Sequence, residues 1–208
     1  MSKTKKFYKI RCIDFVASDY KDNDFNIKIY GIDQEHNVYC VRIDDFKPFF
    51  YIKVGDDWTE DDMDEFMEDL KETYKDDYGF IKSLNENIYE MKLVKHKKLY
   101  NFDAHKYYNF IYISCHNVSL FYKFKNLYYD KEKQKLKRGI EFNGVITELY
   151  ETMIPPMLRF FHIQNISPSG WIELRKFKRS RNKNSKIIEL NTSYKNIISL
   201  ENKENVVP

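Results

Sequence analysis

From residue 49 onward the hydrophobic period of the chain switches repeatedly, and the order of those switches limits the fold more than any single motif. Residues 49–54 form a short apolar run entered through Lys47-Pro48, where the proline biases its predecessor toward extended backbone. Thr59 followed by Glu60, Asp61 and Asp62 then reads as a helix start: a hydroxyl cap with carboxylates at the positive end of the helix dipole. Met63, Phe66, Met67, Leu70 and Tyr74 recur at helical spacing as one apolar stripe, and residues 77–79 are expected to end it. Residues 88–94 alternate, with Tyr89, Met91 and Leu93 on one side and Glu90 and Lys92 on the other. Residues 101–104 read as a loop, 110–115 as a strand, 118–129 as a helix and 140–142 as a short strand. The resulting β, α, β, β, α, β order is that of a split βαβ, ferredoxin-like unit. RNA-recognition modules share the order, but their aromatic consensus is absent here.

The flanking segments extend this into an α+β chain. Residues 7–15 are a long apolar-rich run, and Phe25, Ile27 and Ile29 alternate with Asn26, Lys28 and Tyr30. After a turn at 31–37 the pattern resumes at 38–43, so that with 49–54 four short strands suggest an antiparallel meander or small barrel. Residues 149–163 are apolar on nearly all sides and predict a mostly buried helix, its regular part starting at Pro155, with Ile154, Leu158 and Phe161 as the buried stripe. Pro168 and Gly170 turn the chain into a strand at 171–174, and two weaker extended runs follow at 187–190 and 197–200. The expected fold is therefore an antiparallel β-rich subdomain, a split βαβ subdomain and a C-terminal helix. The expected divisions are 1–48, 49–145 and 146–208.

Composition excludes several classes. Aromatic residues are 17% and apolar residues 42% of the 208, too many for a disordered chain, and six glycines exclude a collagen-like one. No run of 18 apolar residues occurs, so no membrane span is expected, and the start MSKTKKFYK lacks the apolar stretch of a secretion signal. Cys12, Cys40 and Cys115 lie in apolar segments and read as buried reduced thiols, which suits a cytoplasmic or nuclear location.

The net charge of +3 conceals an asymmetry. Residues 56–77 hold twelve carboxylates against two lysines, whereas 123–138 hold seven basic and two acidic residues and 175–186 seven basic and none acidic. In Tyr122-Lys123-Phe124-Lys125 and in 171–181, cations alternate with aromatics, a pattern able to pair with phosphates and stack on bases. Lys123, Lys125, Arg175, Lys176, Lys178, Arg179, Arg181 and Lys183 are the candidate nucleic-acid contacts; solvated lysine-rich loops would show the same composition. Catalytic motifs are not legible. There is no phosphate-binding glycine loop, no GxSxG and no HExxH, and Asp130-Lys131-Glu132 lies in a lysine-rich loop without a buried strand to position it. Cys115 and His116 are adjacent and would point to opposite faces of a strand. The carboxylates of 56–77 line the wet side of a helix, so no metal site is expected.

Leu149-Tyr150-Glu151, Ile154-Pro155-Pro156, Leu158-Arg159-Phe160, Ile166 and Gly170-Trp171-Ile172-Glu173-Leu174 together resemble the end of the N-terminal domain of family B (delta-like) DNA polymerases, nearest to those of large DNA viruses. Phe46-Lys47-Pro48-Phe49-Phe50-Tyr51-Ile52 and Leu99-Tyr100-Asn101-Phe102 resemble two earlier stretches of that domain, with Asn101 in place of a glycine. The resemblance implies a pre-exonuclease part of a DNA-directed DNA polymerase, acting in replication as scaffold and as contact for single-stranded template. It implies as partners that DNA and the exonuclease and polymerase domains of a parent protein, with no membrane. The exonuclease motif Asp-Ile-Glu and the polymerase motifs do not occur in this sequence, so no catalytic residue carries over. No cofactor is expected for this chain, and Mg2+ belongs to the catalytic domains. On this reading the sequence is a fragment or a split-gene piece, and its basic tail is expected to pack on the exonuclease domain and to be the least stable segment. The alternative is a free-standing nucleic-acid-binding or interaction module without catalysis.

Overall fold

The computed structural model describes residues 7–19, 24–97, 106–130, 133, 135–136, 139–180 and 186–200. In chain order the elements are β1 (Tyr8–Ser18), β2 (Asn26–Ile32), β3 (Val38–Ile43), β4 (Phe49–Lys53), α1 (Glu60–Thr73), α2 (Tyr78–Asn87), β5 (Ile88–Lys97), β6 (Tyr107–Cys115), α3 (Val118–Leu127), β7 (Tyr129–Asp130), β8 (Lys135–Leu136), β9 (Ile140–Phe142), β10 (Val145–Tyr150), α4 (Pro156–Gln164), β11 (Trp171–Leu174), β12 (Lys178–Arg179), β13 (Ile188–Asn191) and β14 (Ile197–Ser199). The chain is α+β, as its hydrophobic periods indicate, and it divides into two units: Lys47–Ile154, and Met1–Phe46 with Pro155–Pro208.

The Lys47–Ile154 unit is built on a five-stranded antiparallel sheet in the order β5-β6-β4-β10-β9. Without the β9 hairpin arm, this is the strand order of a split βαβ unit: each helical crossover skips one strand, and the skipped strand pairs between its ends. α1 starts where the acidic run predicts. Thr59 Oγ1 accepts from the Asp62 N–H at 3.4 Å, and the Asp62 carboxylate accepts from the Thr59 N–H at 2.7 Å, so two otherwise orphaned donors are satisfied reciprocally. Met63, Phe66, Met67 and Leu70 are its buried stripe. They pack with Phe50 and Ile52 of β4, Ile111, Ile113 and Cys115 of β6, Phe80 and Leu84 of α2, and Leu120, Phe121 and Phe124 of α3. Each such large side chain contributes about 1.5–3 kcal/mol of burial free energy, so this cluster is the unit's main source of stability.

Three expectations for this unit need correction. Residues 77–79 do not simply end a helix. α1 stops at Thr73, and the Asp77 carboxylate accepts from the Phe80 N–H at 2.9 Å, capping α2. Gly79, which reads as a breaker, sits in the first turn, where few intrahelical bonds depend on it. Second, Leu149 and Tyr150 are not helical. They belong to β10, where Leu149 lies opposite Ile52 of β4. Asn143 and Gly144, both at positive φ (48° and 73°), turn β9 into β10, the left-handed geometry a two-residue hairpin requires. Third, a bulge between Ile88 and Glu90 breaks the alternation of β5, so Tyr89 turns outward and is 55% exposed while Met91 and Leu93 pack on the core. The stretch 101–104 and Leu99-Tyr100-Asn101-Phe102 lie outside the described residues.

The other unit holds a seven-stranded sheet in the order β12-β13-β3-β2-β1-β11-β14. β1, β2 and β3 form the expected meander, but β4 leaves it for the other sheet, so the meander has three strands rather than four. The stretches divided by sequence as 1–48 and 146–208 share this one sheet, since β11 pairs antiparallel with β1. The described part of the tail joins this sheet. β13 pairs parallel with β3, the one parallel pairing of this sheet among the described residues, and β14 pairs antiparallel with β11. Leu190 and Ile197 are buried there, which gives two weakly apolar runs a place in the core. α4 starts one residue later than expected, with Pro156 at its first position, and is not buried all round. Pro156 and Phe160 are its buried residues, while Leu158 is 47% and Ile163 46% exposed. The predicted stripe of Ile154, Leu158 and Phe161 fails because Ile154 precedes the helix and Phe160, one turn from Pro156, faces in. Phe160 closes on Phe46 edge to face at 5.3 Å, and Phe46 on Tyr194 at 5.7 Å.

Candidate nucleic-acid interface

Lys123 and Lys125 sit on α3. Asn117 caps this helix, its Oδ1 accepting from the Leu120 N–H at 3.0 Å while its Nδ2 donates to Asn87 Oδ1 at 2.6 Å. With Leu120, Phe121 and Phe124 turned inward, Tyr122 is left 44% exposed. Phe124 is fully buried and is therefore no stacking surface, contrary to the alternating pattern read from sequence. Lys123 donates to the Gly79 carbonyl at 2.5 Å and so ties α3 to the start of α2. Lys125 Nζ lies 6.0 Å from the Tyr122 ring centroid; these two side chains preserve the cation-beside-aromatic arrangement on the surface.

The second basic segment lies in the other unit, at one end of the seven-stranded sheet. Arg175 Nε pairs with Glu173 Oε1 at 2.8 Å, with the arginine side chain 60% exposed. The main chain of Lys176 is fixed by Thr192, whose hydroxyl donates to its carbonyl at 2.5 Å. Lys178 and Arg179 are exposed on the edge strand β12, paired with Asn191 and Leu190 of β13. Phe177 turns the other way and packs on Tyr8 at 4.7 Å. Lys176, Lys178, Asn191, Thr192 and Asn196 line an open depression with Asp44 and Asp45. Neither acid is idle: Asp44 pairs with Arg42 at 2.6 Å, and Asp45 accepts the Tyr194 N–H at 3.0 Å. Trp171 is half-buried in β11. The structure thus places Lys178 and Arg179 on one edge strand, with Lys176 just before it, and Lys123 and Lys125 in the other unit. Arg181 and Lys183 lie outside the described residues.

The titratable groups do not assemble into a catalytic centre among the described residues. No three His, Cys, Asp or Glu side chains gather there. The carboxylates of α1 face solvent, Glu68 held by Lys71 and Glu72 by Lys75 along the helix. Asp130 accepts the Lys133 N–H at 3.1 Å as a turn residue would. These positions do not fit a divalent ion, which needs several carboxylates converging on one point. Cys115 is fully buried and its burial pushes the thiol well above its ordinary value, which excludes a reactive thiolate. His116 instead stacks edge to face on Tyr89 at 5.2 Å. The three cysteines are reduced thiols, Cys12 and Cys115 buried and Cys40 half-buried, close to the sequence expectation. No helix among the described residues is long and apolar enough to cross a membrane.

Residues 147–208 match the family model for the exonuclease domain of family B DNA polymerases. The chain is 38% identical over 189 residues to the DNA polymerase of Phaeocystis pouchetii virus, covering 86% of this chain and 18% of that protein. It is 31% identical over 166 residues to the DNA polymerase of Pyramimonas orientalis virus, covering 79% of this chain and 13% of that protein. The chain therefore spans less than a fifth of the length of these curated relatives. Among solved structures, the family B DNA polymerase of the archaeon Pyrobaculum calidifontis superposes with a TM-score of 0.59 at 13% identity, over 92% of this chain and 20% of that one. That likeness is one of fold.

Proposed function

We propose that this chain is a part of a family B DNA polymerase lying ahead of the exonuclease active site, and that it serves DNA replication as a scaffold and as a contact for single-stranded template rather than as the seat of chemistry. The observation that carries the reading is the 38% identity to a viral DNA polymerase, which runs over 86% of this chain and so takes in both units. Two features support the non-catalytic role. The carboxylates of α1 are spread along a solvent face, and Asp44, Asp45 and Asp130 are each engaged in local structure. Mg2+ belongs, in this proposal, to the exonuclease and polymerase domains of the parent protein, which are the chain's partners together with DNA.

Lys178 and Arg179 on the β12 edge, Lys176 just before it and Lys125 on α3 are the proposed phosphate-binding groups. A protein that neutralises phosphates releases condensed cations, so its affinity falls steeply with salt. The test is binding of the 208-residue chain to a labelled single-stranded oligonucleotide across a salt series. Replacing Lys176, Lys178 and Arg179 together by alanine is expected to flatten the logarithmic salt slope by about two units, roughly 0.7 for each single-strand phosphate that is no longer neutralised. A salt-independent affinity would remove the DNA contact and leave a scaffold. With primed DNA and Mg2+ the same chain is expected neither to extend nor to hydrolyse it, and either activity would refute the non-catalytic assignment.

A further inference from the structure

We propose that the helix-free face of the five-stranded sheet is a stacking platform for the unpaired bases of single-stranded DNA. The proposal rests on the template-contact reading above and gives it a second site that the basic segments do not include. In the Lys47–Ile154 unit the core cluster draws α1, α2 and α3 together with Phe50 and Ile52 of β4 and Ile111 and Ile113 of β6. Strand alternation therefore sends Phe49, Tyr51 and Lys53 of β4, and Phe110 and Tyr112 of β6, to the opposite face. β4 and β6 are adjacent inner strands, and their register sets Tyr51 directly across from Tyr112. Lys92 and His96 of β5 and Glu148 and Tyr150 of β10 fall on the same face by register.

The rings on this face form a continuous group. Tyr51 and Tyr112 are 5.5 Å apart, Phe49 and Tyr112 5.4 Å, Phe49 and Tyr51 5.9 Å, and Tyr51 and His96 5.4 Å between centroids. Phe49, Tyr51 and Tyr112 are half-buried, in contrast with Phe50 and Ile52, which alternate with them and are fully buried. Cations are interleaved with the rings. Lys92 Nζ lies 5.0 Å from the Tyr112 centroid, and Lys53 and Lys106 lie 5.6 Å and 4.8 Å from that of Tyr108. The nearby carboxylates are already engaged: Glu90 by Lys92 at 2.9 Å, Glu148 by the Tyr150 hydroxyl at 3.1 Å, and Asp56 by Lys106 at 2.9 Å. An apolar partner surface would have to take these ion pairs out of water, a desolvation cost that their mutual attraction does not readily repay. A single nucleic-acid strand offers flat π-faces to the rings and phosphates to the ammonium groups, the combination that sequence-tolerant single-strand sites use. A duplex hides those base faces.

The test uses the whole 208-residue chain and a labelled oligothymidylate, with binding read by fluorescence anisotropy. A second oligonucleotide carrying 5-iodouracil is photocrosslinked, and the attachment sites are mapped by mass spectrometry. Crosslinks are expected at Tyr51, Tyr112 or Phe49. Tyr51→Ala and Tyr112→Ala are each expected to weaken binding by about 5- to 100-fold, the range for removal of one stacked base. Tyr51→Phe keeps the ring and should stay within about twofold of the parent. Lys92 is exposed, so Lys92→Glu leaves the fold intact; it should weaken binding and lower the salt slope by about one. If the alanine variants unfold by circular dichroism, Lys92→Glu and the crosslink map decide. Crosslinks confined to Tyr122 or residues 175–186, with Lys92→Glu and a folded Tyr51→Ala or Tyr112→Ala binding as the parent does, would overturn this site while leaving the template-contact reading intact. Failure of the parent chain to bind any single strand at low salt would overturn both.

Discussion

Asp33 is a test of whether a polar network holds the β2–β3 hairpin of the seven-stranded sheet. Its carboxylate, in the turn between β2 and β3, accepts four hydrogen bonds: from the Glu35 and Asn37 N–H groups at 2.9 Å each, from Asn37 Nδ2 at 2.9 Å and from the Tyr39 hydroxyl at 2.8 Å. Asp33 is 8% exposed and Tyr39 1%. Burial alone would raise the acid, but the donors of Asn37, Tyr39 and Glu35 outweigh it and hold the carboxyl at about 2, against an ordinary 3.8. Because the folded value lies below the unfolded one, the stabilisation is complete above the unfolded value and is lost as pH falls toward about 2. The shift corresponds to about 2 kcal/mol at neutral pH and to roughly 1 kcal/mol at pH 3. Asp33→Asn keeps the shape, removes the charge and turns one acceptor into a donor facing Asn37 Nδ2 or the Tyr39 hydroxyl. Urea unfolding of parent and variant, followed by circular dichroism at pH 7, 5, 4 and 3, isolates this group because the other acids titrate in both. The stability gap is expected to be widest at pH 5 and above and to narrow by about 1 kcal/mol by pH 3. With Tyr39→Phe added to both, it should shrink further, since the buried hydroxyl is no longer orphaned. A gap unchanged between pH 7 and pH 3 would refute the assignment of stability to the ionised carboxylate.

Thr59→Ala should cost about 1 kcal/mol and reduce helicity on melting, while Thr59→Ser should restore both, since only the hydroxyl is needed in the capping box. Thr147→Val removes the donor to the Ile140 carbonyl at 2.8 Å and orphans the buried Tyr128 hydroxyl, 2.9 Å away; unfolding titrations should show a destabilisation of about 1–3 kcal/mol. Gly31→Ala should destabilise by about 1–3 kcal/mol in the same assay, because an added Cβ would stand 2.4 Å from the Arg11 carbonyl oxygen and 2.5 Å from Ile10 Cγ2 in the adjacent strand. Gly144→Ala should cost about 1 kcal/mol with nothing in contact, purely through its positive φ, and a neutral result would show that the β9–β10 turn tolerates another geometry.

The parts of the fold legible in sequence are those whose cause is local. Thr59 and Asp62 stand three residues apart, so the start of α1 could be read from them, as could the stripe from Met63 to Leu70. The misreadings have physical reasons. α2 has only Phe80 and Leu84 as large buried residues, its face being completed by Ser83 and Asn87, so its helical period is faint. β10 does alternate through Val145, Thr147 and Leu149 after an Asn-Gly turn, a usable signal, but Thr147 is a buried polar residue and the apolar run after it suggests a helix. The aromatic face has the same character. Phe49 and Tyr51 alternate with Phe50 and Ile52, yet periodicity alone does not say which of two apolar rows lies under the helices.

Sequence alone determined the α+β class, the acidic helix, the first three strands and the family likeness, because caps, periods and motif residues act over a few positions. Tertiary structure decided which sheet each strand joined. β13 found β3 some 145 residues away, and β4 left the meander, through backbone pairing that any extended segment can make and that core packing alone selects. It also decided which aromatics stay accessible: Phe124 and Tyr122 are two residues apart and equally able to stack by residue type, but the helix turns one into the core and leaves the other, beside Lys125, in water.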